Sequence, residues 1–322
     1  MATIYEVAAL AGVSPATVSR VTNGTKVSPD LAAKVLAAAK ELDFTPNRTA
    51  RTLRKQNSEV IALIIPDIEN PFFTSLARGV EDRAQESGYS VVLCNSDEDV
   101  TKEARYIEIA ISEHMAGIIL APASDESDLS GLVSKKRPVV AVDRGPHGYS
   151  VDTVTVDNHA GGVSAAAALF DQGFRRVACI TGPRDVETAQ LRSAGWREIA
   201  AQRSTDSDLD DLLVYANYRV DGGAEAMKKL LALPNRPDAV VVANNLMGVG
   251  ALGALAEAGI TPPAFGMAVF GDLAIAPLSP QGITVVHLPS RQLGVTAASL
   301  LMERIGGDTQ PPRTIVLRNS PS

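Results

Sequence analysis

The chain has 322 residues, of which 45% are hydrophobic and 4% aromatic, so it can form two or three domains around a large aliphatic core. No apolar run is long enough for a transmembrane helix, and the N-terminus lacks a cationic segment followed by an apolar stretch. These features argue against a membrane protein or a secreted protein. Cys94 and Cys179 are too few for a disulfide framework, and we expect them to be reduced core residues of a cytoplasmic protein.

The charge of the chain is divided unevenly. The net charge is −7, but residues 1–57 contain eight Lys and Arg against four Asp and Glu, a balance of +4. The remaining residues contain 22 against 33, a balance of −11. A basic head on an acidic body is typical of a protein that binds nucleic acid through the head alone. A balance of +4 is also small enough to arise by chance.

The first predicted elements are two short helices joined by a tight turn. Apolar residues at spacings of three, four and seven predict a helix over Ile4–Ala11. A second helix is predicted to begin at Pro15, because Ser14 can cap it and proline suits the first helical position. Asn23 and Gly24 tolerate the left-handed conformation and can end this helix. The arrangement predicts a helix-turn-helix unit.

The second helix presents a small polar face that suits the major groove of DNA. Val18 and Val21 are predicted to face the core. The residues on the opposite side are Ala16, Ser19, Arg20 and Asn23. Arg20 can donate to O6 and N7 of guanine, while its neighbours add little bulk. The same pattern also fits a purely structural helix that exposes one arginine.

A third helix is predicted to begin at Pro29, with Ser28 as its cap. Its expected buried face consists of Leu31, Val35, Ala38, Ala39 and Leu42. Residues 45–58 follow, with three arginines, one lysine and a central Leu53, but no core pattern. This segment is either a solvated linker or a segment that becomes ordered on DNA and inserts Leu53 between base steps in the minor groove.

From Val60 onward, short apolar strands alternate with amphipathic helices such as residues 72–87 and 101–113. The predicted strands are 60–65, 89–94, 117–120, 138–142, 154–156, 176–181, 213–215, 239–243, 268–271, 284–288 and 314–317. Such alternation predicts parallel sheets covered on both faces. Because these strands are too many for one compact unit, we expect two doubly wound lobes. A ligand would bind between them, beyond the carboxyl ends of the strands.

One string in this region imitates a dinucleotide-binding fingerprint. Residues 248–253 read GVGALG after a strand, and Asp272 follows at the end of another strand. Four residues separate the first of these strands from Gly248, so the glycines are predicted to lie inside the helix, where they permit close packing against the sheet. A NAD-dependent enzyme is therefore a remote alternative. The histidines lack metal-binding spacing, and no nucleophile elbow or phosphate loop occurs, so no metal, cofactor or catalytic residue is expected.

These residues together resemble the LacI/GalR family of bacterial transcription repressors over nearly the whole chain. The resemblance rests on TIYEVAALAGVSPATVSRVTNG near the N-terminus, on PNRTARTLR in the linker, and on NPFF, LRSAGW and VANN followed by LMGVGAL. It implies an all-α headpiece followed by an α/β effector-binding and dimerisation domain that is similar to periplasmic binding proteins. The implied boundaries are 1–46 for the headpiece, 47–58 for the hinge and 59–322 for the effector domain, with an N-lobe of about 59–157 and 290–317 and a C-lobe of about 158–289 and 318–322.

The resemblance also implies that a homodimer binds a palindromic DNA operator. The residues implied in DNA binding are Thr3, Ser14, Pro15, Ala16, Thr17, Ser19, Arg20, Asn23, Asn47, Ala50 and Leu53. Arg20 would make the main polar base contact, whereas Pro15 and Ala16 could offer only apolar surface. The polar side chains would set the register through phosphates. Specificity should therefore depend on Arg20 and on DNA shape at the bent centre, where Leu53 would insert.

For the effector domain, the resemblance implies a cleft that binds a sugar or related polyol. The implied cleft residues are Phe72, Phe73, Asp143, Arg192, Tyr218, Asn244 and Asp272. Arg192 would donate to ring hydroxyls or a carboxylate, and Asp272 would accept on the opposite wall. The aromatic residues would stack on the sugar ring. Each of these residues also has an ordinary structural alternative, as a solvated, capping or core residue.

The chain departs from the family pattern at two places. Asn245 stands where many relatives have Asp, and VFGDLAIAPLSPQG retains one acid, Asp272. The identity of the effector therefore does not follow from the resemblance. A regulator controlled by a phosphorylated metabolite or by a protein corepressor is the main alternative. A transport-type sugar-binding protein would share the two lobes but would lack residues 1–57.

Overall fold

The computed structural model describes residues 2–22, 26–44, 58–204, 209–273 and 282–321, and the chain divides into two compact units, Met1–Asn57 and Ser58–Ser322. The smaller unit contains the helices α1 Ile4–Ala11, α2 Pro15–Thr22 and α3 Pro29–Glu41. The predicted helix-turn-helix arrangement is thereby confirmed. Within the described ranges, no helix is long and apolar enough to cross a membrane.

The first two helices begin and end where local chemistry predicts. Thr3 and Glu6 form a capping box at the start of α1, and Gly12 follows its last turn with a φ of 63°. The Ser14 hydroxyl accepts a hydrogen bond from the Thr17 N–H at 3.2 Å, which confirms the predicted cap of α2. The buried core of this unit consists of Val7, Ala8, Val18, Val35 and Ala38. The predicted end of α2 at Asn23 and Gly24 lies outside the described residues.

Two details of α3 differ from the prediction. The Ser28 side chain makes no capping hydrogen bond, and its backbone carbonyl instead accepts from the Ala32 N–H at 3.0 Å. Leu31 is 37% exposed, although a buried position was expected. The other short helices cover only the later turns of α3, where Val35 and Ala38 are buried. The first turn is therefore left facing solvent.

The first sheet of the larger unit belongs to its N-lobe. Its strands are β1 Val60–Ile65, β2 Ser90–Asn95, β3 Ile118–Leu120, β4 Val139–Val142, β5 Asp152–Val156 and β11 Thr314–Leu317, in the order β2-β1-β3-β4-β5-β11. All of their pairings are parallel. The helices of this lobe are α4 Pro71–Glu86, α5 Val100–Ser112, α6 Ser130–Ser134 and α11 Ser290–Ile305. Apolar clusters on both faces bury β1 almost completely, as expected for a parallel sheet between helices.

The second sheet belongs to the C-lobe. Its strands are β6 Val177–Thr181, β7 Leu213–Tyr215, β8 Ala239–Val242, β9 Gly266–Phe270, β10 Ile283–His287 and β12 Ser320–Pro321, in the order β7-β6-β8-β9-β10-β12. Only the β10–β12 pairing is antiparallel. The helices are α7 Asn158–Asp171, α8 Glu187–Arg203, α9 Val220–Leu231 and α10 Asn245–Glu257, with a 3₁₀ turn at Asp210–Leu212. The fully buried Trp196 on α8 donates to the Val177 carbonyl at 3.1 Å and so ties this helix to β6.

The chain passes between the lobes after β5, after β10 and after β11. The two parallel-sheet lobes confirm the predicted fold class. Two strands begin two residues earlier than predicted, because tertiary contacts fix their first residues. Asp152 at the start of β5 accepts two hydrogen bonds from Arg304, at 2.6 and 2.9 Å. Gly266 at the start of β9 lies so close to the Phe174 ring that a Cβ there would be 2.5 Å from it.

The GVGALG string lies inside α10, as predicted. A Cβ at Gly248 would approach Val269 of β9 to 2.8 Å, so this glycine allows the helix to pack against the sheet. At Gly250 a Cβ would approach the Val220 carbonyl of α9 to 1.9 Å. No atom lies within 4 Å of a Cβ at Gly253. Two of the three glycines therefore allow close packing of α10, Gly248 against the sheet and Gly250 against α9.

The two cysteines lie on strands, as predicted, and both are free thiols. Cys179 on β6 is fully buried, and burial raises the pKa of its thiol above the ordinary range. Cys94 on β2 is only half-buried, because β2 is an edge strand that has a neighbour on one side alone. The prediction of two core cysteines is therefore confirmed for Cys179 and only in part for Cys94, which packs against the edge of an apolar cluster.

Candidate DNA-binding surface and effector cleft

The exposed side of α2 is small and carries one long cation. Pro15, Ala16 and Arg20 are exposed, whereas Val18 is fully buried in the core of the small unit. Arg20 lies in the last turn of this eight-residue helix. Its guanidinium is therefore held on a short, rigid element with little neighbouring bulk, which is the shape that suits entry into a major groove.

Several polar residues predicted to contact DNA already cap helices. The Thr3 hydroxyl donates to Glu6 at 2.9 Å within the capping box, and these contacts lower the pKa of the Glu6 carboxyl. The Ser14 and Thr17 hydroxyls are 3.0 Å apart. These side chains order the helix N-termini, whose free N–H groups suit phosphates. Ser19 is half-buried, and four further predicted residues lie outside the described part of the chain, namely Asn23, Asn47, Ala50 and Leu53.

In the larger unit, a cavity lies between the lobes, beyond the carboxyl ends of the strands. Six of the seven predicted cleft residues line it, namely Phe72, Phe73, Asp143, Arg192, Tyr218 and Asn244. The walls of the cavity are close together, and they leave about 40 Å³ of space that a water-sized molecule can occupy. The rings of Phe72 and Phe73 meet edge to face with centroids 5.0 Å apart. The cavity thus has an aromatic side and a charged side.

Arg192 is held rigidly on the C-lobe wall. Its Nε donates to the Asn158 side chain at 2.8 Å, and its Nη1 donates to the Ala243 carbonyl at 2.6 Å. The guanidinium also stacks over the Phe270 ring, 4.7 Å from its centroid. The side chain is buried, and this burial lowers the pKa of Arg192. A buried cation fixed by neutral partners is a strong donor for a ligand oxygen.

Asp143 and Arg144 form the opposing charged wall on the N-lobe, directly after β4. Arg144 makes two hydrogen bonds with the Glu98 carboxylate, at 2.7 and 2.9 Å, and also donates to the Pro122 and Ala123 carbonyls. Burial alone would lower the pKa of Arg144, but the negative charges of Glu98 and Asp143 have the larger effect and raise this pKa. Asp143 is buried as well, and burial raises the pKa of its carboxyl despite the nearby cations Arg144 and Arg192.

Two buried polar atoms on this wall are left unsatisfied. Among the residues that the structure describes, neither Oδ1 of Asp143 nor Nε of Arg144 has a hydrogen-bond partner. The other carboxylate oxygen of Asp143 lies 3.5 Å from the Arg144 Nε, too far for a good hydrogen bond. Such atoms are costly unless something binds them. Both atoms have almost no accessible surface in this conformation, so a ligand can reach them only when the wall opens.

Tyr218 and Asn244 complete the C-lobe wall, but their polar groups are already used. The Tyr218 hydroxyl lies 2.9 Å from the Thr188 hydroxyl, and burial raises the pKa of Tyr218. Asn244 donates to the Tyr218 carbonyl at 2.8 Å and accepts from the Met247 N–H at 2.8 Å. Asn244 thus caps α10 while it lines the cavity. Asp143 and Tyr218 both have left-handed backbones, with φ of 69° and 61°, as strained residues at binding sites often do.

Asp272 is the predicted cleft residue that the structure does not bring to the cavity. Its side chain is 70% exposed and lies 2.6 Å from Nδ1 of His287. Asp143, on the other lobe, is the buried carboxylate that the cavity contains. The expectation that Asp272 supplies the acceptor therefore does not match this conformation, because Asp272 follows β9 after a glycine with a φ of 81° that redirects the chain.

The structure adds residues to the cavity that the sequence reasoning missed. They are Asp67, Asn70, Glu98, Thr188, Asn217, Arg219, Asn245, Phe270, Gly271, Leu288 and, beside Asp143, Arg144. Many of them follow directly after strands of the two sheets, where the carboxyl ends meet. A systematic reading of the residues after each predicted strand would have found Asp67, Arg144 and Asn245. The same reading would reach Glu98, three residues after β2, but not its hydrogen bonds with Arg144, which is 46 residues away in sequence.

Comparisons with known proteins agree with both units. Residues 3–47 match the family described as bacterial regulatory proteins, lacI family, and residues 61–276 match the periplasmic binding protein domain. The ribose operon repressor of Escherichia coli (strain K12) is 37% identical over 97% of this chain and 94% of its own length. The HTH-type transcriptional repressor PurR of Vibrio cholerae (serotype O1, strain M66-2) is 32% identical over 95% of this chain and 92% of its own length.

A solved structure extends the agreement to the three-dimensional fold. The transcriptional regulator CelR in complex with cellobiose is 31% identical to this chain and has a TM-score of 0.75. The superposition covers 100% of this chain and 98% of that one. The similarity therefore includes the helical headpiece and both lobes. The chain belongs to the lacI family of bacterial regulatory proteins, as a DNA-binding transcriptional regulator with a ligand-binding effector domain.

Proposed function

We propose that this protein is a homodimeric repressor of carbohydrate-utilisation genes and that a small neutral sugar in the interlobe cavity weakens its binding to a palindromic operator. It would act in the cytoplasm, where the operator is, with no catalytic step and no cofactor. In this proposal residues 1–46 bind DNA, residues 47–58 form the hinge, and residues 59–322 bind the effector and dimerise. The chemistry of the cavity supports the effector, and the exposed face of α2 supports the operator contact.

The observation that carries the effector proposal is the unsatisfied pair on the N-lobe wall. The Asp143 Oδ1 accepts when the carboxyl is ionised, the Arg144 Nε can only donate, and both are buried. A hydroxyl group donates and accepts at once, so a polyol can satisfy both atoms. Arg192 on the facing wall adds a charged donor, and Phe72 offers apolar surface to the C–H groups of a ring. This combination matches a sugar better than a purely apolar or purely anionic ligand.

The charge balance of the cavity favours a ligand without a phosphate group. The cations that line it are Arg144, Arg192 and Arg219, and the acids are Asp67, Glu98 and Asp143. Arg144 is already hydrogen-bonded to Glu98, and its Nε lies 3.5 Å from the Asp143 carboxylate. A phosphate dianion would meet no surplus of positive charge, and it would lie close to buried carboxylates. A neutral ligand avoids this repulsion.

The free space of about 40 Å³ in the cavity holds roughly three water molecules, which is less than a sugar needs, so the lobes must separate to admit one. A pentose requires less separation than a disaccharide. The ribose operon repressor is a close relative over nearly the whole chain, which agrees with a pentose. We therefore choose D-ribose as the first probe.

The coupling between the sites follows from differential binding. An effector that binds the closed lobes more tightly than the open ones shifts the equilibrium towards closure. If the N-lobes of the dimer then move relative to each other, residues 47–58 pair less well and operator affinity falls. Leu53 would insert between base steps only in the paired state. A corepressor would act by the same coupling with the opposite sign.

Thermal unfolding with a panel of ligands tests this proposal. A ligand that binds only the folded state raises the Tm, and at saturating concentrations the shift grows with the logarithm of the ratio of ligand concentration to Kd. We expect D-ribose or another free pentose to raise the Tm, and to weaken operator binding measured by fluorescence anisotropy. Ribose 5-phosphate, hypoxanthine and cellobiose serve as comparison ligands. A shift with the phosphorylated sugar alone would contradict the neutral-sugar assignment and favour a metabolite-controlled regulator. A shift with none of them would contradict the pentose assignment.

A further inference from the structure

We infer that Glu187 is a positioning residue of the effector site. From the C-lobe it holds the N-lobe turn that carries Asp143 and Arg144. This inference rests on the proposed function. Glu187 is the first residue of α8 in the C-lobe. Its carboxylate accepts a hydrogen bond of 2.7 Å from the N–H of Gly145, which belongs to the N-lobe. A Cβ at Gly145 would lie 3.4 and 3.5 Å from the two carboxylate oxygens, so the carboxylate rests directly on this turn.

The turn that Glu187 holds presents the unsatisfied pair. Gly145 follows Asp143 and Arg144 directly in the chain. The Arg144 N–H donates to the Val142 carbonyl at 2.8 Å, and Asp143 between them has a φ of 69°. A three-residue turn with a central residue of positive φ is rare and strained, so it persists only when its surroundings hold it. Glu187 supplies one of these restraints from the opposite lobe.

Glu187 does not line the cavity that contains Arg192 and Asp143; it borders a separate, more open cavity together with Gly145. Because its partner lies on the other lobe, separation of the lobes would break this hydrogen bond. The same hydrogen bond therefore holds the two lobes together and keeps the Asp143 turn in its conformation. A residue that acts in this way controls how long the effector stays bound, in addition to how the site is shaped.

A second group of interlobe contacts lies beside the first. The Asp125 N–H of the N-lobe donates to the Asp185 carbonyl of the C-lobe at 3.1 Å. The Gln190 side chain on α8 donates to the Asp125 carboxylate at 3.2 Å. The other oxygen of this carboxylate lies 3.2 Å from Nε2 of His147, in the loop that follows Gly145. The start of α8 therefore meets both N-lobe loops that flank the Asp143 turn.

Paired variants of the full-length protein separate the hydrogen bond from the charge. Glu187→Ala removes the acceptor, whereas Glu187→Gln loses the charge but keeps a carbonyl oxygen that can accept from Gly145. Glu198→Ala, on the exposed side of the same helix, is the matched control because Glu198 pairs with the exposed His159. The first measurement is hydrogen exchange of the Gly145 amide without any ligand. The second is D-ribose binding by calorimetry, with the dissociation rate measured by stopped flow.

We expect Glu187→Ala to speed exchange at Gly145 at least about tenfold, and Glu187→Gln and Glu198→Ala to stay within about threefold of wild type. Glu187→Ala should weaken D-ribose binding about tenfold, mainly through faster dissociation, and Glu187→Gln should restore it.

Unchanged exchange at Gly145 in Glu187→Ala would overturn the inference, whatever the result with D-ribose. Equal loss of affinity in the Ala and Gln variants would also overturn it, since charge would then be the cause. If Glu187→Ala speeds exchange at Gly145 as expected but the wild type binds no D-ribose, the chosen pentose is wrong, and the Gly145 contact is still supported.

Discussion

The two binding surfaces of this protein are built in opposite ways. On α2 the side chain that is expected to recognise DNA, Arg20, is exposed on a helix of eight residues. In the cleft, Arg192 is 5% exposed and fixed by Asn158 and the Ala243 carbonyl. The first surface is small and open to water. The second is buried and organised before a ligand arrives.

This difference determines where the binding energy of each surface comes from. An exposed guanidinium gains little from its charge until it meets DNA, so its contribution appears as discrimination between base pairs. A buried guanidinium has already lost its hydration, and its interactions with a ligand are correspondingly stronger. Substitutions in the cleft should therefore change both affinity and folding, whereas substitutions on α2 should change affinity alone.

Arg192→Met should have the largest effect. It removes the charged donor and leaves the Asn158 side chain and the Ala243 carbonyl buried without this partner, at a cost of about 3 kcal/mol of folding free energy. D-ribose affinity should fall about 100-fold because a charged hydrogen bond to the ligand is lost. Calorimetry at low temperature, together with thermal unfolding of the ligand-free protein, measures both effects.

Arg197→Met is the matched control for this experiment. Arg197 lies on the same helix and pairs with Asp210 at 2.6 Å, but its side chain is 43% exposed. A surface ion pair of this kind contributes little. Equal loss of stability in the two variants would show that Arg192 is no more preorganised than a surface residue, and the contrast between the two binding surfaces would fail.

Arg20→Ala should have the next largest effect, and only on DNA binding. Loss of a bidentate contact to guanine costs about 2 kcal/mol, so specific operator affinity should fall about 30-fold. Affinity for unrelated DNA should fall much less, because phosphate contacts remain. Anisotropy titrations with both DNAs at several salt concentrations measure the difference, and the Tm should stay within about 1 °C of wild type.

Lys40→Ala controls for the loss of one positive charge in the small unit. Lys40 is an exposed residue in the last turn of α3. We expect this variant to weaken binding to both DNAs by a similar, small factor. If Arg20→Ala behaved in the same way, Arg20 would contribute charge alone and would not discriminate between bases.

The fold was predictable to a large extent because its signals are local. Caps such as Ser14 and Gly12 and the apolar runs of β1 and β8 depend on neighbouring residues, so the helices and parallel strands lie close to their predicted positions. The errors arose where tertiary contacts decide. Leu31 fits an amphipathic pattern but receives no cover, and Cys94 lies on an edge strand that no sequence pattern identifies as such.

The cleft was predictable in composition but not in its hydrogen bonding. Arg192 and Phe72 line the cavity as the resemblance implies, yet the sequence does not reveal that Asn244 is occupied with capping α10. Asp272 and Asp143 looked equivalent as acids that follow strands. Only the folded chain distinguishes them, because Asp272 is turned outwards to His287 and Asp143 is buried.

Asp143→Asn should have the smallest effect on affinity and a distinctive effect on stability. The amide keeps an acceptor oxygen, so D-ribose affinity should fall only about five- to tenfold. The ligand-free protein should become more stable, because the variant removes a buried negative charge and asparagine tolerates a positive φ. We expect the Tm to rise by about 2–4 °C at neutral pH, equivalent to about 1 kcal/mol.

The pH dependence of this gain tests its cause. Burial raises the pKa of Asp143 in the folded state, so the folded protein binds this proton more tightly than the unfolded chain does. The cost of the ionised carboxylate is fully present above the raised pKa and disappears as the pH falls through it towards the ordinary value for aspartate. The difference in Tm between the variant and wild type should therefore shrink on acidification. If the difference in Tm did not change with pH, the gain would come from the backbone preference of asparagine. The buried charge of Asp143 would then not destabilise the folded protein, and the cleft would not differ from the exposed face of α2 in this respect.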